Sequence, residues 1–230
     1  MTSRPKALFV LTGHGTLGDT GEPTGVHLAE IARPWRILTD AGIDVDFTTP
    51  QGGKAPVDPA SHDLDDEDNK AFLDDADVAS AMDDMPALGT LDVTGYDALF
   101  VPGGHGTMWD LPDSEAVQSA VRTAWESGKV VAAVCHGPAA FVNVRLSDGS
   151  WFVDGKSISV FTDEEEKAAE KDEIVPFLLA SKLKERGARH HKSDDFEASV
   201  SVDGRLVTGQ NPASAKGVGE AICTLVKQSA

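Results

Sequence analysis

Val130-Val-Ala-Ala-Val-Cys135-His136-Gly137-Pro138-Ala-Ala-Phe141 decides how the rest of the chain is read. Five small or β-branched apolar residues run without a polar break, as in a strand buried on both faces of a parallel sheet. Gly137-Pro138 then suits a sharp turn into a helix, because proline is tolerated in a first helical turn. Cys135 is therefore expected on a tight strand-to-helix turn, its sulfur exposed and a helix N-terminus aimed at it. That is the layout of a nucleophile elbow. A helix N-terminus favours negative charge, so the thiol is expected below its ordinary pKa of about 8.5.

Outward from this stretch, strand and helix patterns alternate. Lys6–Leu11, Val45–Thr48, Asp97–Val101 and Ser157–Phe161 read as apolar strands. Thr24–Ala41 has helical spacing, with Pro34 inside it and Gly42 as its stop. Ser114–Ser127 reads as a helix capped by Asp113 or Ser114, and Ile174–Arg186 as a helix stopped by Gly187. Ala198–Val202 and Arg205–Thr208 form a hairpin across Asp203-Gly204, and Asn211 is expected to cap a last helix running to about Lys227. The alternation predicts an α/β fold, a doubly wound, mostly parallel sheet sandwiched by helices, within a single domain over 1–230. In such sheets ligands bind beyond the C-terminal ends of the strands, where Gly13, Gly103 and Cys135 all fall.

The 230 residues carry a formal charge of -18, which disfavours nucleic acid and anionic membrane surfaces as partners. No leader peptide and no membrane-length apolar run is read, and there are two cysteines, Cys135 and Cys223. That usage indicates a reducing, cytoplasmic setting. Acid concentrates in an irregular insertion at about 55–85: ten Asp or Glu and one Lys lie between Asp63 and Asp84, interspersed with Leu64, Phe72, Leu73, Val78, Met82 and Met85. Such a segment is amphipathic rather than disordered. It is not a calcium loop, since Asp68 stands where the loop needs glycine and Asp74 where it needs glutamate.

Three constellations carry chemistry. Gly103-Gly104-His105-Gly106 follows an apolar strand, so its amide groups can face a cavity; the N–H groups of Gly104 and His136 could form an oxyanion hole for a group attacked by Cys135. Glu30 shares the apolar stripe of its helix and is expected to be buried with a raised pKa, able to donate to a thiolate and shuttle a proton. Adjacent side chains on a tight turn seldom meet, so His136 is expected to act indirectly, oriented by an acid from Asp163 to Glu166. Gly13-His14-Gly15-Thr16-Leu17-Gly18 matches a dinucleotide fingerprint only superficially: Asp19-Thr-Gly-Glu-Pro intervenes before any helix, and no acid ends the second strand. His190-His191 reads as a solvated pair and Cys223 as a packing cysteine.

Ala132-Ala-Val-Cys135-His136-Gly137-Pro138 resembles the nucleophile elbow of the ThiJ/PfpI superfamily, of class I glutamine-amidotransferase-like, flavodoxin-like fold. The likeness is closest to its heat-shock chaperone and glyoxalase III branch. Thr24-Gly-Val with Glu30, Gly103–Thr107, Phe161-Thr-Asp163 with Glu166, and Gly209-x-Asn211-Pro212-x-Ser214-Ala215 extend it over nearly the whole chain, in order. The resemblance implies Cys135 as nucleophile, Glu30 as the buried acid beside it, His136 as its histidine and Glu166 as the acid orienting that histidine, though Glu164 and Glu165 adjoin it. Gly103, Gly104 and His105 fall in its oxyanion and substrate-binding loop.

The implied activity is a lyase reaction, glutathione-independent conversion of methylglyoxal, a small 2-oxoaldehyde, to D-lactate in carbonyl-stress defence. It uses no metal and no organic cofactor, and implies a homodimer. Thiolate addition to the aldehyde gives a hemithioacetal; Glu30 or His136 moves a proton from C1 to C2, and thioester hydrolysis releases the hydroxy acid. Other readings of a reactive cysteine are a protein deglycase, a stress chaperone or redox sensor, and a cysteine amidohydrolase or peptidase. For an amidotransferase, the later histidines His190 and His191 lack an acid two residues on.

Overall fold

The computed structural model describes residues 4–229. In chain order its elements are β1 (Lys6–Val10), α1 (Leu28–Asp40), β2 (Asp44–Thr48), α2 (Glu67–Asp74), α3 (Ala76–Asp83), β3 (Ala98–Val101), α4 (Thr107–Asp110), α5 (Glu115–Glu126), β4 (Val130–Val134), β5 (Ser157–Ile158), α6 (Asp163–Ala168), α7 (Leu179–Glu185), β6 (Arg189–His190), β7 (Val200–Asp203), β8 (Leu206–Gly209) and α8 (Ala215–Ser229). Six strands form one sheet in the order β2-β1-β3-β4-β8-β7, parallel throughout except for the β7–β8 hairpin. The fold is thus the doubly wound α/β sandwich that the alternation predicts.

The central strands β1, β3, β4 and β8 are buried almost end to end, which is why their sequences are continuous apolar runs rather than alternations. Alternate residues of each strand point to opposite faces and seed two cores. One joins Leu8, Leu99 and Val131 with the α5 residues Val117 and Val121; the other joins Phe9, Phe100 and Ala132 with α1 and α8. Pro34 does not cost α1 its packing. Gly219 of α8 sits so close that a side chain there would meet the Pro34 backbone at 2.9 Å.

Several boundaries differ from the sequence expectations. The first helix starts at Leu28, not Thr24, because Val26 is drawn into an extended bridge with Val57 through a bond from its N–H to the Pro56 carbonyl. The acidic 55–85 segment is less irregular than its composition suggests. Asp66 and Asp75 spend their carboxylates as N-caps of α2 and α3, and Phe72 packs edge-on against Trp35 and Phe47. Arg33 of α1 ties the segment down through Asp66 at 2.7 Å. The strand expected over Ser157–Phe161 ends at Ile158 and pairs with β6 in a separate two-stranded sheet. The helix expected from Ile174 begins only at Leu179, after Pro176. Asn211 does not cap the last helix by its side chain, which is engaged elsewhere.

Candidate active site

β4 ends against the turn of 3-10 helix that directly follows the cysteine, Gly137–Phe141. Cys135 between them has φ +59°, a left-handed conformation uncommon for a residue with a Cβ. Two flanking bonds hold it there: its N–H donates to the Gly209 carbonyl at 2.8 Å, and its carbonyl accepts from Phe161 N–H at 3.1 Å. Gly137 is required for the turn, since a Cβ there would lie 2.1 Å from the Val101 carbonyl oxygen.

The elbow brings adjacent side chains together, against expectation. The Cys135 sulfur lies 3.3 Å from His136 Nδ1. The left-handed cysteine rotates its own side chain toward that of the next residue, which a regular turn would not do. On the other edge of the ring, His136 Nε2 meets Glu166 Oε2 at 2.7 Å. Of the three adjoining acids, Glu166 is therefore the one that reaches the histidine. Glu164 is exposed and pairs with Lys192. Glu165 turns inward to close a capping box with Thr162, and its Oε1 accepts from Phe196 N–H, Gln210 Nε2 and Asn211 Nδ2. The Thr162-x-x-Glu165 pattern that separates these roles was available in the sequence.

Glu166 is shared. Its Oε1 pairs with His105 Nε2 at 2.8 Å, and the His105 and His136 rings lie 4.1 Å apart. His105 thus stands first as a partner of Glu166. Burial pushes the Glu166 carboxyl up, but the two imidazoles outweigh it and hold it below the usual carboxylate range. Burial, with His136 close by, lowers His105 to about 4. Among the described residues, His105, His136 and Glu166 are also the set whose donor atoms, within 4.8 Å of one another, lie close enough for a metal. Both imidazoles already have a carboxylate oxygen as partner.

Glu30 is fully buried in α1, as its place in the apolar stripe predicts. Its Oε2 accepts from Gly103 N–H at 2.8 Å, and the Cys135 thiol interacts with the same carboxyl. Glu30 Oε1 is buried and has no hydrogen-bond partner. Burial lifts Glu30 to about 8, so it holds its proton at neutral pH. Cys135 departs from expectation. Its residue is only 3 % exposed, and burial pushes the thiol up; a Glu30 carboxylate would push the same way, and the His136 backbone N–H opposes them. The expected depression overlooked desolvation and credited a helix dipole to five residues of 3-10 turn, too short to supply a full one. At neutral pH the Glu30 proton removes the carboxylate repulsion and leaves a donor beside the sulfur.

The Gly103-Gly104 loop lies across from the elbow. Gly104 has φ +99° and approaches α1 so closely that a Cβ would meet the His27 nitrogen at 2.6 Å. Neither the Gly104 nor the His136 N–H is consumed by a turn or loop bond among the described residues. Both border a cavity of about 590 Å³ that reaches Cys135 and is walled by Phe161, Phe196, Pro212 and the Asp58–Ser61 stretch at the start of the acidic segment. One expectation nearby changes. His190 is half-buried in β6 rather than solvated, whereas Cys223 packs at the edge of the second core. The Gly13–Gly18 loop turns back through a Thr16–Pro23 bridge and opens no helix, and Gly13 N–H is bound to Asp110.

A left-handed cysteine at the C-terminal edge of a parallel sheet, facing a glycine loop, is the plan of an elbow-type α/β protein. The chain belongs to the DJ-1/PfpI family, whose model matches residues 23–225. It is 31% identical to the glutathione-independent glyoxalase hsp3102 of Schizosaccharomyces pombe, over 94% of this chain and 95% of that one. Among solved structures, the 24 kDa rapid encystment protein of Francisella tularensis superposes with a TM-score of 0.93 at 33% identity, covering 96% of this chain and 99% of that one. Glyoxalase III of Candida albicans superposes with a TM-score of 0.87 at 28% identity, over 96% and 97%. Among the described residues no helix is long and apolar enough to cross a membrane.

Proposed function

We propose that the protein is a glutathione-independent glyoxalase that converts methylglyoxal to D-lactate on Cys135. The observation that carries the reading is the line Cys135–His136–Glu166, with contacts of 3.3 and 2.7 Å, set beside a protonated Glu30. Relatives named as glyoxalases, matching nearly full length, support the substrate class.

His136 Nδ1 takes the thiol proton, while Glu166 accepts from Nε2–H and steadies the imidazolium. The thiolate adds to the aldehyde carbon, and the new alkoxide lies between the Gly104 and His136 N–H groups. Glu30 protonates that oxygen and becomes a carboxylate within the same site. It can then take the proton from C1 while the His136 imidazolium gives its proton to the C2 oxygen; Glu30 delivers the C1 proton to C2 and takes up the C1 hydroxyl proton, giving the 2-hydroxy thioester with His136 neutral again. Water, activated by His136, hydrolyses the thioester and restores the thiol. No step calls for a metal or organic cofactor. The free thiols suit a cytoplasmic location, and homodimerisation remains part of the proposal.

The test is to incubate purified protein with methylglyoxal, with and without glutathione, and to quantify lactate. Equal lactate formation in both arms is the expected result. A strict requirement for glutathione would refute the assignment.

A further inference from the structure

One cavity-lining histidine stands outside both the mechanism and the cluster that His105, His136 and Glu166 form. His27 sits immediately before α1 and borders the same cavity as Cys135. Its Nδ1 is buried and has no hydrogen-bond partner, whereas its Nε2 is neither buried nor bonded to protein. A buried lone pair without a partner is better tolerated than an orphaned N–H, which places the ring proton on Nε2. The ring therefore presents an N–H donor on its open edge. Its backbone is locked to the oxyanion loop: His27 N–H donates to the Gly103 carbonyl at 3.1 Å, and its nitrogen is one of the atoms a Gly104 side chain would strike. Burial holds the ring near 4, despite Asp58, so it is neutral through the physiological range.

We propose that His27 is a substrate-contacting residue whose Nε2–H donates to the ketone oxygen of the 2-oxoaldehyde, next to the aldehyde oxygen held by Gly104 and His136. The inference rests on the glyoxalase reading. When base removes the C1 proton of the hemithioacetal, the C1–H electron pair forms the C1–C2 double bond. The C2–O π pair then moves onto the ketone oxygen. Negative charge grows on that oxygen only in this step, and a neutral donor stabilises it without surrendering its own proton. The His136 imidazolium protonates this oxygen, and Glu30 returns the C1 proton to C2 and takes up the C1 hydroxyl proton, which completes the thioester.

The test compares His27→Phe, which keeps the ring but removes both nitrogens, with His27→Gln, which keeps an N–H donor. By analogy with loss of one oxyanion donor, His27→Phe is expected to lower kcat about 10²-fold with little change in KM. His27→Gln should retain a measurable part of the rate. The pH profile should keep its position, because the group does not titrate there, and the alkylation rate of Cys135 should stay at the wild-type value in both variants. Wild-type kcat in His27→Phe, or equal losses in the two variants, overturns the proposal while leaving the glyoxalase reading intact. A wild-type protein with no lactate formation overturns both.

Discussion

His136 Nδ1 stands 3.3 Å from the Cys135 sulfur, although the two residues are neighbours in the chain. The contact exists because Cys135 is left-handed, and that conformation is held by strand bonds on one side and a close glycine turn on the other. Backbone strain is thus converted into a nucleophile–base pair. His136→Ala is expected to slow lactate formation by about 10²–10⁴-fold, the usual worth of a general base. Circular dichroism should show an unchanged fold. A wild-type rate would mean that some other group takes the thiol proton.

Glu166 and Glu164 are two residues apart, yet only Glu166 reaches His136. Glu166→Gln keeps the shape but removes the charge that accepts from both histidines, and should reduce kcat clearly. Glu164→Gln alters an exposed ion pair with Lys192 and should leave kcat at the wild-type value. Steady-state kinetics on the two variants separates them. Equal effects would dissolve the assignment of the orienting acid.

Glu30, lifted by burial to about 8, sets the alkaline limb of activity. Turnover should fall as pH rises through that region, because the proton donated to the new alkoxide is lost. In Glu30→Gln the limb should disappear along with most of the rate, by about 10²–10⁴-fold. A variant that keeps the wild-type limb would place the titration elsewhere.

The same two carboxyls act on stability in opposite directions. Glu30 has a folded-state pKa above its ordinary 4.5, so the stability tied to its proton is fully present below 4.5 and lost as pH rises through about 8. The difference between those values corresponds to about 5 kcal/mol at the alkaline end. Glu166 is held below its ordinary range, so its contribution is present above 4.5 and lost on acidification. Urea unfolding across pH should show Glu30→Gln flattening the alkaline decline and Glu166→Gln flattening the acid one. Parallel curves for wild type and Glu30→Gln would contradict the burial argument.

Phe72 joins the acidic segment to the body of the protein through Trp35 and Phe47. Phe72→Ala should cost about 3–5 kcal/mol, as for other buried phenylalanines. Because Asp58–Ser61 walls the cavity, KM for methylglyoxal should rise as well. Unchanged unfolding would show that α2 and α3 are only loosely attached.

The sheet was legible because its parallel strands are buried on both faces and so announce themselves as apolar runs. The elbow was legible from Val134-Cys135-His136-Gly137, and Glu30 from its place in a helical stripe. What the sequence hid depends on three-dimensional neighbours. The direct Cys135–His136 contact comes from a backbone angle no pattern encodes. The raised thiol comes from burial under Glu30, and α2 and α3 from acids that serve as caps. His27 carried no signal, since a histidine just before a helix is unremarkable until Gly104 is seen against its backbone.

The most direct test of the central claim is a chiral assay of lactate made from methylglyoxal without glutathione, by wild type and Cys135→Ala side by side. The account predicts D-lactate from the wild type and none above background from the variant, with both proteins folded. D-lactate from Cys135→Ala at the wild-type rate would contradict it.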